Sequence, residues 1–274
     1  MARLKLNQSA AWLAGLLSPL MAGSAAALPA SNMPKGVTEI SHQVYGLHML
    51  IFWICVGIGV LVFGAMLYSV IRHRRSKGYK AAQFHESTTV EILWTIVPFV
   101  ILVAMAIPAT QTLIAMEDTG NSDMTIKITG YQWKWHYDYL DQNVDFFSTL
   151  STPRSQIFNQ AEKGEHYLLE VDNEVVVPVD KKIRLLLTSN DVIHAWWVPE
   201  LAVKKDAIPG FINQMWTQID EPGVYRGQCA ELCGRDHGFM PVVVRAVEQA
   251  EFDKWVQAQK GGKQGGQKLT QASP

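Results

Sequence analysis

Two long uncharged stretches divide the chain before any other feature does. From Ile40 to Ile71, and again from Ile92 to Met116, no Asp, Glu, Lys or Arg occurs. Each stretch exceeds the about 20 apolar residues that cross a bilayer as an α-helix. The pattern predicts transmembrane helices over 44–71 and 90–116, joined by a loop at 72–89. A third apolar run, Ala10 to Met21, follows Arg3 and Lys5 and leads into the small residues Ala25 to Ala27. It reads as a secretory signal over 1–27 with cleavage near Ala27. As a third span it is too short and too rich in Ala, Gly and Ser. A short outer segment, 28–43, then precedes the first helix.

Beyond Met116 the continuous apolar runs give way to alternation with a period of two, the mark of half-buried strands. It appears at Ile126 and Ile128, from Tyr167 to Val171, from Val175 to Val179, and at Ile183, Leu185 and Leu187. The aromatic series Tyr131, Trp133, Trp135, Tyr137 and Tyr139 reads as one strand with a single aromatic face. Turn signals fall at Asp172-Asn173, Ser189-Asn190-Asp191, Pro209-Gly210 and Pro222-Gly223. Several short strands without a long helix predict a Greek-key sandwich or barrel over 117–259. Glu248 to Gln259 reads as one terminal helix, and the Gly- and Lys-rich residues 260–274 as a flexible tail.

Charge orients this plan. The whole chain has a net charge of −1, yet from Glu117 onward 16 Lys plus Arg stand against 22 Asp plus Glu, a net charge of −6. An acidic outer domain attracts basic partners in a salt-dependent way and disfavours nucleic acid. The loop between the spans carries Arg72, Arg74, Arg75, Lys77 and Lys80 against Glu86 alone. The positive-inside rule places that loop in the cytoplasm and both mature termini outside. Pro98 and Pro108 inside the second span predict a bend tolerated through a neighbouring helix.

The chemistry concentrates in Gly227-Gln228-Cys229-Ala230-Glu231-Leu232-Cys233-Gly234-Arg235-Asp236-His237-Gly238-Phe239-Met240. Two thiols, an imidazole and a thioether form a soft donor set that selects copper, and two thiolates permit bridging between two ions. Three plainer readings compete. A Cys229–Cys233 disulfide is the default outside the cytosol, structural zinc does not call for Met240, and a helical face is opposed by Gly227, Gly234 and Gly238. Copper outranks all three. More ligands are needed than the loop supplies, and the best distant candidate is His194, followed by the water-excluding Trp196 and Trp197. The third cysteine, Cys55, sits in the first span as a small apolar residue.

With these residues assembled, the chain resembles subunit II of the cytochrome c oxidases among the haem-copper terminal oxidases. The likeness rests on the cysteine loop, Asp206-Ala207-Ile208-Pro209-Gly210, Gly130-Tyr131-Gln132-Trp133-Lys134-Trp135 and Trp94-Thr95-Ile96-Val97-Pro98. It implies a membrane-anchored all-β protein, a two-helix hairpin followed by a cupredoxin-like Greek-key barrel with a binuclear copper centre, CuA. Carried over by motif, it makes Cys229 and Cys233 bridging thiolates, His194 and His237 terminal imidazoles, Met240 an axial thioether and Glu231 a ligand through its backbone carbonyl. It also gives the Glu231 carboxylate a magnesium ion at the junction with subunit I. A hard oxygen ligand suits that ion.

The resemblance further implies electron acceptance from cytochrome c at Trp133, with Asp138 and Asp191 as docking acids and Glu91 as a proton-uptake point. Oxygen would be reduced to water, with proton translocation, in subunit I, which carries the haems, and other oxidase subunits would complete the complex. The implied location is the bacterial inner membrane with both mature termini periplasmic. Lys134 departs from the family, where many relatives have an aromatic residue. Two rival roles fit less well. A copper-delivery protein needs an exposed, exchangeable site, and quinol oxidase subunits of the same plan lack the two cysteines.

Overall fold

A computed structural model describes residues 32–270, with side chains described as far as Gly261. The expected signal lies outside the described residues. Helix α1 spans Glu39–Arg72 and opens with a reciprocal cap, in which the Thr38 side chain accepts from the Ser41 N–H at 3.0 Å and the Thr38 N–H donates to Ser41 Oγ at 2.9 Å. Helix α2 spans Thr88–Glu117 and contains Pro98 and Pro108. Both are long and apolar enough to cross a membrane.

The start of α1 and the end of α2 are tied to the domain that follows. Before α1, the Val37 N–H donates to Glu200 O at 3.1 Å and the Thr38 hydroxyl to Leu201 O at 3.2 Å. At the end of α2, the Trp216 indole N–H donates to Ala115 O at 2.9 Å, and Lys205 meets Glu117 at 3.0 Å.

That domain is a sandwich of two five-stranded sheets. In chain order the strands are β1 Met124–Tyr131, β2 Lys134–Tyr139, β3 Val144–Ser148, β4 Val175–Pro178, β5 Ile183–Ser189, β6 His194–Val198, β7 Val203–Ala207, β8 Asn213–Thr217, β9 Gly223–Cys229 and β10 Pro241–Val247. One sheet has the order β3-β2-β1-β5-β8 and the other β4-β10-β9-β6-β7. The β1/β5 and β4/β10 pairs are parallel, and the other pairs are antiparallel. A one-turn helix, α3, covers Arg154–Ile157, and helix α4 covers Gln249–Thr270, running past Gln259. The two-helix anchor and cupredoxin-like sandwich match the fold expected from the sequence.

Alternation places the core as the sequence predicts. Ile126 pairs with Leu185 and Ile128 with Leu187 across the parallel β1/β5 ladder, and all four are buried. Burial of each such side chain is worth roughly 1.5–3 kcal/mol. Phe252 and Val256 on α4 close one end of this core, with the Trp255 ring 5.1 Å from that of Tyr139.

Two expected strands differ. Tyr167 to Val171 is not a strand: Tyr167 and Leu169 make turn hydrogen bonds to Gly164 and His166, Leu168 has a φ of 63°, and only Val171 forms a bridge, to Leu150. Apolar alternation there has no neighbouring strand to pair with. The aromatic series is likewise broken, because the chain reverses at Gln132 and Trp133. Tyr131 pairs with Lys134, and directly opposed residues share a sheet face. The reversal therefore leaves Trp135, Tyr137 and Tyr139 fully buried, Tyr131 on the outer face and Trp133 in the turn.

Candidate metal centre

Three segments meet at one end of the sandwich. Strand β9 delivers Cys229 at its last residue, the following loop carries Cys233, a short 3-10 helix carries His237, and Met240 precedes β10. Strand β6 supplies His194 as its first residue. The β1–β2 turn closes over the loop and fixes its carbonyls. Gln132 Nε2 donates to Cys233 O at 2.9 Å, Trp133 Nε1 to the same oxygen at 3.2 Å, and Trp135 Nε1 to Met240 O at 3.3 Å. Gly234 takes a φ of 117°, which few residues but glycine adopt, and so lets the loop turn between Cys233 and His237.

The donor atoms converge on two sulfurs. Cys229 Sγ and Cys233 Sγ lie 3.8 Å apart, and both thiols are free, so the disulfide reading is not the arrangement found. His194 Nδ1 lies 3.9 Å from the Cys229 sulfur, while His237 Nδ1 lies 3.5 Å from the Cys233 sulfur. Met240 Sδ is 3.5 Å from Cys233 Sγ, and the Glu231 carbonyl oxygen is 3.3 Å from Cys229 Sγ. Among the described residues, His194, Cys229 and Cys233 form the group whose ligand atoms all lie within 4.8 Å of one another. His194, both cysteines and Met240 are buried, with Trp135 and Trp196 packed around them.

Protonation within the pair is asymmetric. Burial works against a Cys229 thiolate, but hydrogen bonds from His194 and nearby backbone outweigh it and lower the thiol to about 7. Burial, followed by repulsion from that thiolate, pushes Cys233 up to about 12. Metal binding to the pair requires both thiols to give up their protons.

His194 is held from behind. Its Nε2 meets Asp191 Oδ1 at 2.9 Å, which turns Nδ1 toward the sulfurs. Asp191 also accepts from the Gln132 N–H and the Val192 N–H, both at 2.7 Å. Burial opposes the Asp191 charge, yet these bonds hold its carboxyl below the usual range. For His194, burial disfavours the cation, but contacts with Cys229 and Asp191 raise its pKa. Gly130 allows the close approach, since a Cβ there would lie 2.7 Å from His194 Cδ2. The sequence alone did not single out Gly130, Gln132 or Trp135 for these tasks, although Asp191 stands at i−3 from His194, a spacing that could have suggested its partner.

The remaining candidates lie apart from the sulfurs. The Glu231 side chain is exposed and its carboxylate is outside the clustered ligand group. Asp138 lies on the outer face of β2, with Asp145 and Lys127 as its cross-strand partners. Glu91 sits exposed in the first turn of α2, and its carbonyl accepts from the Thr95 hydroxyl at 2.8 Å.

Two family models cover nearly the whole described chain. "Cytochrome C oxidase subunit II, periplasmic domain" matches residues 124–247, and "Cytochrome C oxidase subunit II, transmembrane domain" matches residues 26–112. The chain belongs to the cytochrome c oxidase subunit II family. It is 37% identical over 220 residues to a probable cytochrome c oxidase subunit 2 of Rickettsia bellii, covering 80% of each chain. Over 250 residues it is 38% identical to cytochrome c oxidase subunit 2 of Arabidopsis thaliana, covering 90% of this chain and 95% of that one. Among solved structures, the periplasmic domain of subunit II of cytochrome oxidase of Bradyrhizobium japonicum is 45% identical, with a TM-score of 0.47, covering 53% of this chain and 98% of that chain. Membership makes the protein a two-span membrane protein and part of a haem-copper oxidase, an oxidoreductase complex. The free-thiol, imidazole and thioether donor set fits the copper of that family.

Proposed function

We propose that this subunit II accepts electrons from cytochrome c at a binuclear CuA centre and passes them to subunit I, where oxygen is reduced to water. One observation carries the reading: two free thiols 3.8 Å apart, each approached by a different imidazole. Two thiols and two imidazoles could also close one tetrahedral zinc, but the Met240 thioether at 3.5 Å and the Glu231 carbonyl at 3.3 Å from the same sulfurs exceed four ligands and add a soft donor that suits two copper ions. Cys229, Cys233, His194 Nδ1, His237 Nδ1, Met240 Sδ and the Glu231 carbonyl would hold the metal. Copper held by these residues would supply one-electron transfer.

The chain's own residues organise that transfer. Asp191 fixes the His194 tautomer and ring orientation, a task usually given to the hydrogen-bond partner of a ligating imidazole. Buried Trp135, Trp196 and Met240 keep water from the sulfurs. The Trp133 indole N–H bonds to the Cys233 carbonyl at 3.2 Å, so its ring connects the protein surface to a ligand residue by one hydrogen bond. Trp133 is therefore the candidate electron inlet. Asp138 and Asp191 are the candidate docking acids.

By family resemblance, the exposed Glu231 carboxylate would contribute to magnesium at the subunit I junction, and Glu91 would begin a proton route from the cytoplasm into subunit I. Other oxidase subunits complete the assembly. The basic 72–89 loop would put both mature termini and the sandwich on the periplasmic side of the bacterial inner membrane, once the signal read over 1–27 is removed.

Copper content tests the reading. The purified chain, loaded under reducing conditions and freed of loose metal, should retain two coppers, and Cys229→Ser should abolish that stoichiometry. Retention of one zinc in preference to copper would contradict it.

A further inference from the structure

The surface around Trp133 is not uniformly acidic. Arg235, in the loop between Cys233 and His237, places its guanidinium carbon 5.8 Å from the centre of the Trp133 ring, with 84% of its side chain exposed. Across the turn, the Lys134 ammonium stands 4.3 Å from the centre of the Phe147 ring and 5.9 Å from that of Tyr131. Ring faces attract cations, so Arg235 is kept beside the candidate inlet, and Lys134, the next residue after Trp133, is kept over the outer-face rings of the same hairpin. The acid paired with Arg235 is its chain neighbour Asp236, at 3.3 Å through Nε and again through Nη2. Such exposed pairs contribute little, and a carboxylate from another protein can take the place of Asp236.

The acids near this turn are differently disposed. Asp191 is occupied by His194, the Gln132 N–H and the Val192 N–H. Asp138 lies four residues along β2 from Lys134, opposite Asp145 on one neighbouring strand and Lys127 on the other. Asp145 in turn meets His136 at 3.4 Å. The carboxylates at the turn, Asp191 and Asp236, are thus already engaged, whereas Asp138 lies farther along the hairpin.

We infer that this face is bipolar, and that Arg235 and Lys134 are specificity-determining residues that favour a donor protein with a carboxylate beside the edge that meets Trp133. The basic residues of that donor are displaced toward Asp138. The inference rests on the reading of Trp133 as the electron inlet. Single charges at a contact surface act chiefly on encounter rate and its salt dependence, and that is where these residues should register.

The test uses the whole oxidase complex carrying wild-type subunit II or Arg235→Gln, Arg235→Glu, Lys134→Gln or Trp133→Gln. The second-order rate of reduction is measured with a lysine-rich cytochrome c and with an acidic one across a range of ionic strength. Arg235→Gln should be about threefold faster than wild type with the lysine-rich donor at low salt and about threefold slower with the acidic donor. Arg235→Glu should exaggerate both changes, Lys134→Gln should reproduce their direction, and all should fade as salt screens the contact. Both donors responding alike, or neither responding, would overturn the inference. Lys134 lies outside the ligand loop, so its variant decides the matter if Arg235 changes disturb copper loading. Trp133→Gln reports separately on the inlet: wild-type rates there would refute that role, whatever the charge variants do.

Discussion

Asp191 and His194 are joined by a 2.9 Å contact from the carboxylate to Nε2 that leaves Nδ1 facing the Cys229 sulfur at 3.9 Å. The pair explains how a histidine from one strand can serve a loop built from another. A free imidazole would choose between two tautomers and several rotamers, whereas this one is set in a single orientation before metal arrives. Asp191→Asn keeps the size of the side chain but removes the charge. Copper affinity should fall by about 10- to 100-fold, the usual cost of losing such a partner. A competition titration against a copper chelator measures it, and an unchanged affinity would reduce Asp191 to a loop fastener.

Gly130 is the other support for His194. A methyl group there would lie 2.7 Å from Cδ2 and 3.0 Å from Cγ of the ring, and the backbone of β1 has little freedom to retreat because it is paired with β2 and β5. Gly130→Ala should destabilise the protein by about 1–3 kcal/mol, the range for overpacking a filled interior, and should disturb the copper spectrum. Chemical denaturation and absorption spectroscopy check both parts, and a wild-type spectrum would show that the ring is not so tightly confined.

Met240 separates packing from ligation. Its side chain is almost fully buried with Sδ 3.5 Å from Cys233 Sγ. Met240→Leu conserves volume and should cost less than about 1.5 kcal/mol in fold stability, while removal of the thioether should shift the reduction potential of the loaded protein. Unchanged potential in spectroelectrochemistry would leave Met240 as a packing residue.

Tyr137→Phe gives the opposite separation. The Trp196 indole N–H donates to the Tyr137 hydroxyl at 3.1 Å inside the core. Removing that acceptor strands a buried donor and should cost about 1–3 kcal/mol, with the copper spectrum retained. Equal stability in denaturant would show that the indole finds another partner.

The sequence exposed some of these relationships and concealed others for definite reasons. Cys229, Cys233, His237 and Met240 are close together in the chain, so their shared chemistry is visible without a fold, and the apolar helices follow from length and the absence of charge. His194 could be nominated because the cysteine loop was short of ligands. Its partner Asp191 reads in the sequence only as a docking acid, because its bond to the imidazole depends on how the 189–192 turn enters β6. The aromatic series misled because alternation continues through the reversal at Gln132 and Trp133 while the face changes. The pairing of Tyr131 with Lys134 shows that Trp135 points inward, and the bond from the Trp133 indole to Cys233 O shows that its ring lies over the cysteine loop. Tyr167 to Val171 had the alternation of a strand without a sheet edge to join. Gly130 carries no side chain from which to read a role, and its importance appears only when His194 is placed against it.

Electron paramagnetic resonance of the copper-loaded, partly oxidised chain tests the central claim most directly. Two bridged coppers held by Cys229, Cys233, His194 and His237 predict hyperfine coupling of one unpaired electron to two equivalent copper nuclei. A spectrum from a single copper nucleus, or a Cys229–Cys233 disulfide that refuses metal under reducing conditions, would contradict it.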